Sequence, residues 1–186
     1  EIIKNAQQYK PRAVIEGVTV QPMITGGYEV IIGAKTDPLF GPVILFGMGG
    51  IGVEIFKDVA IGLPPLNQTL AKRLMEETKV YQLLKGYRNR PPADLKLLQE
   101  ILVRFSQMLI DFPQLKEIDI NPLWINERAA MALDARIIID KEKVFAKCEP
   151  HEHLVISPYP KKYEMIWTLK DGRPVLLRPI KPEDEP

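Results

Sequence analysis

Glu117, Asp119 and Asn121 alternate with Ile118 and Ile120, and thirteen residues beyond Asn121 stands Asp134, followed by Arg136. In a strand that alternation places Glu117, Asp119 and Asn121 on one face and Ile118 and Ile120 on the other. Asp134 and Arg136 likewise share a face, opposite Leu133, Ala135 and Ile137. Between the two runs, Asn126-Glu127-Arg128-Ala129 reads as a hairpin turn, without the favoured Asn-Gly or Asp-Gly pair. A turn centred on Glu127 and Arg128 sets Asn121 directly across from Asp134, with Cβ atoms about 5 Å apart. An amide oxygen and a carboxylate then converge on one point. Hard oxygen donors of this kind suit Mg²⁺, which takes one or two protein ligands and leaves the rest to water and phosphate oxygens. The competing reading is an edge hairpin whose polar face meets water.

The elements that must position these residues follow from periodicity. Val14 to Met23, Tyr28 to Lys35 and Val43 to Phe46 read as strands. Asn67 to Leu74 and Val80 to Leu84 read as short helices. Asp94 to Phe112 is the strongest helix: Leu95, Leu98, Leu102, Phe105 and Leu109 form one stripe, Asp94 can cap it and Pro113 stops it. Strands, then helices, then a hairpin indicate an α+β fold with helices over a mainly antiparallel sheet. Gly47 to Gly52 fits G-x-G-x-x-G, but no acid lies about 20 residues beyond it to hold a ribose, and Val53, Ile55, Val59 and Ile61 suit a strand better than the required helix. A dinucleotide site is therefore not expected.

Glu117-Ile-Asp-Ile-Asn-Pro-Leu123 with Leu133-Asp-Ala135 resembles the magnesium hairpin of the ATP-grasp domain in succinyl-CoA synthetase β subunits, and more closely that of ADP-forming acyl-CoA synthetases such as acetate–CoA ligases. Gly17-Val-Thr-Val-Gln-Pro-Met23 with Gly27-Tyr-Glu-Val30, and the glycine-rich run Asp37 to Glu54, resemble further parts of that domain in the same order. Gln21 stands where many relatives carry Glu.

The resemblance implies an ATP-grasp large subdomain over residues 11–147, after a remnant of the small subdomain in residues 1–10. It implies that Asn121 and Asp134 hold Mg²⁺, that Gln21, Met23, Ile24 and Glu29 bind the nucleoside of ATP or ADP, and that Arg136 acts on a phosphate. From the residues alone, Glu29 is equally a solvent-facing carboxylate and Met23 ordinary core filling. Arg136 could equally balance Asp134 or Glu117. The implied chemistry interconverts an acyl-CoA, ADP and phosphate with a carboxylate, CoA and ATP through a phosphohistidine. The CoA-binding and ligase modules would be parts of the same parent chain, and this piece alone would be inactive.

From Tyr163 onward, Asp171-Gly172-Arg-Pro-Val and Arg178-Pro-Ile-Lys-Pro-Glu-Asp resemble the opening strands of GNAT-type acetyltransferases. Residues 148–186 are accordingly read as a linker and first strands of that domain, with the two strands paired around Asp-Gly. The alternative reading is a regulatory, non-catalytic synthetase-like module of a protein lysine acetyltransferase.

Composition bounds the rest. A net charge of +1 gives no reason to expect nucleic acid or an acidic membrane surface. The single cysteine, Cys148, excludes an internal disulfide and fits a reducing, cytoplasmic setting. No run approaches the roughly 20 apolar residues of a membrane span. His151 and His153 form H-x-H, but zinc needs further ligands. A solvated linker is the expected reading of that proline-rich stretch.

Overall fold

The computed structural model describes residues 1–50, 57–144, 151–156 and 163–180. Six strands form one antiparallel sheet: β1 (Tyr28–Asp37), β2 (Gly41–Met48), β3 (Val59–Gly62), β4 (Leu115–Ile125), β5 (Ala130–Ala132) and β6 (Ala135–Ile139). The order is β3-β2-β1-β4-β5, with β6 also paired to β4. Among the described residues the helices are α1 (Ile2–Tyr9), α2 (Gln68–Glu76), α3 (Val80–Leu84) and α4 (Leu95–Asp111). The last two strands, β7 (Met165–Thr168) and β8 (Pro174–Leu177), form a separate ribbon. Every described strand pair is antiparallel, and β2 and β3, which flank the glycine run, pair antiparallel to each other, which is not the parallel pairing of a dinucleotide-binding βαβ unit.

One face of the sheet is the core. Val30, Ile32, Ile44, Phe46, Ile118 and Ile125 are almost wholly buried, facing Leu74 and Met75 of α2, Leu84 of α3 and Leu98 and Leu102 of α4. Each such side chain contributes about 1.5–3 kcal/mol through apolar burial. The stripe expected on α4 is buried from Leu98 to Leu109, with Leu95 half-buried. Its start is fixed by Asp94, whose Oδ1 accepts the N–H groups of Lys96 and Leu97 at 3.1 and 3.0 Å. Asn67 caps α2 in the same way, accepting from Leu70 at 2.9 Å, so that helix begins one residue later than the sequence pattern suggests and runs on to Glu76. The Asp58 carboxylate is buried and satisfied by the N–H groups of Lys79 and Val80 at the start of α3.

Two expectations are corrected. Val14 to Met23 forms no strand: no described strand pairs with it, and an extended segment without a ladder partner leaves its backbone groups to water. His153 does not lie in a solvated linker. Its Nε2 is 3.0 Å from the carbonyl oxygen of Leu109, the neighbouring Leu154 is buried, and a Cβ at Gly41 would meet the His153 carbonyl oxygen at 2.2 Å. Cys148 lies outside the described residues. No described helix is long and apolar enough to cross a membrane.

Candidate functional site

From Ile125 back to Glu117 the pairing of β4 with β5 and β6 keeps one register: Ile125 faces Ala130, Leu123 faces Ala132, Ile120 faces Ala135 and Asp119 faces Arg136, and it shifts by a residue only between Glu117 and Leu115. The turn therefore centres between Glu127 and Arg128, closed by Asn126 Oδ1, which accepts the N–H groups of Arg128 and Ala129 at 2.8 Å each. Asn121 and Asp134 are opposed, and the N–H of Asn121 donates to the carbonyl oxygen of Asp134 at 3.2 Å. This is the register expected from the alternation with a turn centred on Glu127 and Arg128.

The other side of β4 holds a feature the alternation does not reveal. Val30 of β1 pairs with Leu123, but Ile32 pairs with Ile120. Asn121 and Pro122 together thus oppose a single residue of β1, which is a bulge. Proline, lacking an N–H, is at home at such a break. The bulge flips the inward set from Ile118 before it to Leu123 and Ile125 after it. Asn121 sits at this reversal. Pro122 was the available signal, since a proline inside a central strand marks either a bulge or a wrong assignment.

The glycine-rich turn after β2 closes over this point. The N–H of Gly50 donates to Asn121 Oδ1 at 2.9 Å, and the N–H of Gly49 donates to the carbonyl oxygen of Glu29 at 3.0 Å. Gly50 has φ +61°, and a Cβ there would lie 2.1 Å from Glu29 Oε2. The positive φ favours glycine there, and a larger residue would also have to displace the exposed Glu29 carboxylate. Glu29, Gly50, Asn121 and Asp134 are thereby drawn to one end of the open sheet face. Residues 51–56, including Gly52 of the G-x-G-x-x-G run, lie outside the described residues.

Further along that face Arg136 forms an ion pair with Glu117, beside the opposed Asp119. Of the partners its residue type allowed, Glu117 is the one it has. Ile31, Gly33, Lys35, Val43 and Leu45 line an adjoining hollow of about 300 Å³ together with Glu117 and Asp119. Gln21 and Met23 are exposed and Ile24 half-buried on the unpaired segment before β1, so the described contacts do not bring them to Glu29.

Asn121 and Asp134 present an amide oxygen and a carboxylate at opposed positions, and Asn121 Oδ1 keeps a second lone pair after accepting from Gly50. That donor set fits Mg²⁺. Among the described residues no group of three or more His, Cys, Asp or Glu side chains is placed to hold a metal ion.

The architecture is thus an antiparallel sheet with helices on one face and, on the other, a glycine turn that closes on the Asn121–Asp134 hairpin. The chain belongs to the ATP-grasp family, whose domain model matches residues 1–139. It is 42% identical over 138 residues to the β subunit of ADP-forming acetate–CoA ligase I from Pyrococcus furiosus, covering 74% of this chain and 60% of that subunit. Among solved structures it is similar to the dinucleotide-forming acetyl-coenzyme A synthetase 1 of Ca. Korarchaeum cryptofilum in complex with coenzyme A and Ca-AMPCP. The TM-score is 0.66 at 38% identity, over 75% of this chain and 61% of that one. A second structure of that enzyme, with Mg-AMPPCP and its phosphohistidine segment pointing towards the nucleotide-binding site, gives 0.60 at 36% identity, over 62% and 55%. The chain spans from about a fifth to three fifths of the curated relatives it matches, 21% of ADP-forming acetate–CoA ligase I of Archaeoglobus fulgidus and 60% of the Pyrococcus subunit.

Proposed function

We propose that this chain is the ATP- and Mg²⁺-binding part of an ADP-forming acyl-CoA synthetase, which interconverts an acyl-CoA, ADP and phosphate with a carboxylate, CoA and ATP. The observation that carries this is the tie from Gly50 to Asn121, opposite Asp134 and beside Glu29. Asn121 and Asp134 would hold the cation, which when bound offsets negative charge on the phosphate oxygens. Glu29, exposed at the start of β1, accepts hydrogen bonds from a nucleoside hydroxyl. Gln21, Met23 and Ile24 complete the nucleoside contact once their segment folds over it. Glu117 holds the Arg136 guanidinium on the phosphate side of the face, next to Asp119. Transfer to a phosphohistidine is supported by the phosphohistidine segment that points towards the nucleotide-binding site in the Korarchaeum structure.

Catalysis is assigned to the assembly with the CoA-binding and ligase modules, in the cytoplasm, and not to this chain alone. Within it, residues 1–10 belong to the small subdomain and 11–147 to the large one. Residues 148–186 lead into a GNAT-type acetyltransferase, a reading supported by the separate β7–β8 ribbon. No specific feature favours a purely regulatory module.

The test uses the complete synthetase. Asp134→Ala is expected to abolish phosphorylation of the histidine by Mg-ATP while circular dichroism and melting stay near those of the parent. Undiminished phosphorylation would refute the assignment.

A further inference from the structure

Three cations cluster in the short loop between α3 and α4, and each lies over an aromatic ring. Lys85 Nζ is 5.2 Å from the centre of the Tyr81 ring, Arg88 Cζ is 5.3 Å from Tyr87, and Arg90 Cζ is 5.9 Å from Tyr28. Rings hold cations in place by their negative faces without neutralising them. None of the ion pairs among the described residues involves these three side chains.

The loop itself is tied down. Tyr87 and Arg90 form an isolated bridge, the Ala93 N–H donates to the Leu84 carbonyl oxygen at 2.8 Å, and the Tyr28 hydroxyl donates to the Pro91 carbonyl oxygen at 2.8 Å. Arg88 is held at φ +53°, a conformation that few residues other than glycine adopt.

Arg90 also lines a cavity of about 300 Å³, closed by Thr25, Gly26, Gly27, Asn126 and Glu127. The one acid on this wall, Glu127, has Arg128 3.9 Å away. The Asn126 side-chain oxygen is already engaged by two backbone N–H groups, which leaves its NH₂ as a donor. Among its lining residues, Arg90 carries a guanidinium fork, Asn126 an amide NH₂ and Thr25 a hydroxyl, while the Tyr28 hydroxyl is engaged by Pro91.

We propose that this cavity is a second ligand site, separate from the Asn121–Asp134 pair, and that it takes a small phosphate-type oxyanion gripped by the Arg90 fork. A guanidinium presents parallel N–H donors matched to two oxygens of such a group. The aromatic backing removes rotamer freedom before the ligand arrives, so less is lost on binding. Arg88 and Lys85 add long-range attraction at the approach.

The experiment is a ¹H–¹⁵N NMR titration of the 186-residue chain with inorganic phosphate and pyrophosphate at constant ionic strength. The expected result is saturable movement of the Gly27, Arg90 and Asn126 amides, with Arg90→Gln weakening the affinity at least about tenfold. Arg90→Lys keeps the charge without the fork and is expected to weaken it by a similar factor. The unperturbed spectrum of each variant reports its folding. Asp134→Ala is expected to leave this affinity within about twofold, since distant sites act independently. Loss of the Mg-ATP reading at Asp134 therefore leaves this result standing. Equal affinity in Arg90→Gln, or shifts that chloride reproduces, would overturn the proposal. So would a loss seen only in Asp134→Ala. Tighter saturation by succinate than by phosphate would overturn the choice of phosphate chemistry.

Discussion

Two of the hairpins among the described residues, built on the same antiparallel rule, have opposite fates. The one from β4 into β5 and β6 holds its register across a bulge because β4 is a central strand. Ile118, Leu123 and Ile125 are locked beneath α4 on one side, and β1 runs along its other edge. The β7–β8 ribbon also has a clear register, Met165 to Leu177 and Trp167 to Val175, with a turn at Asp171-Gly172. Yet Ile166 is 78% exposed and Trp167 58% exposed. An isolated two-stranded ribbon is marginal in water. Pairing specifies which residues oppose each other. Burial decides whether that opposition is held firmly enough to do chemistry.

The sharpest break in the comparison is functional. In the complete synthetase, Asn121→Ala is expected to lower histidine phosphorylation by about 10²–10³-fold, the scale of losing one preorganised electrostatic contact. Asp171→Ala in the other turn is expected to leave it unchanged. Equal effects at the two turns would erase the distinction.

Stability separates the hairpins next. Leu102→Ala, beneath the sheet, is expected to destabilise by about 2–5 kcal/mol in denaturant titration. Trp167→Ala on the ribbon is expected to cost under about 1 kcal/mol. A Trp167 effect as large as that of Leu102 would mean that the ribbon is integral to the main core.

Hydrogen exchange gives a finer reading of the same contrast. Amides of β7 and β8 are expected to exchange faster than those of α4, because local opening there exposes little buried apolar surface. Matching protection would unite the two regions.

The smallest effect concerns acid. The Arg173 guanidinium, 2.7 Å from the Asp171 carboxylate, and a backbone hydrogen bond hold that carboxyl below its usual range. A depressed folded pKa contributes stability above the unfolded pKa and loses it as pH falls through the folded value. The ribbon turn should therefore loosen only at low pH, seen as loss of the Arg173 amide shift. In Asp171→Asn that pH dependence should vanish.

The sequence disclosed α4 through its stripe, its Asp94 cap and Pro113, because local spacing alone determines each. The Asn121–Asp134 register was legible once the turn was centred on Glu127 and Arg128, but alternation alone admits slips of two residues, and the Asn126 side chain that closes the turn decides among them. The bulge was not legible in alternation, which cannot say whether an apolar pair after Pro122 keeps parity or reverses it. Val14 to Met23 failed as a strand because strand formation depends on a neighbour that the segment's own residues do not specify. His153 was misread because its contacts with Leu109 and Gly41 are remote in sequence. The hydrogen bond from Gly50 to Asn121, 71 residues apart, was invisible for the same reason.

The bond from the Asp94 N–H to the Asn126 carbonyl oxygen, at 2.9 Å, joins the residue that starts α4 to the residue that opens the turn after β4. It fixes a chain length. Between those two points lie the whole of α4, the Pro113 connection and β4, and both ends of that circuit are fastened together. An inserted residue cannot be passed along to a free end. It must bulge out where it enters or break the fastening. For anyone grafting this segment into another scaffold, the loops beyond the fastening are the places to splice, and the circuit itself should travel whole.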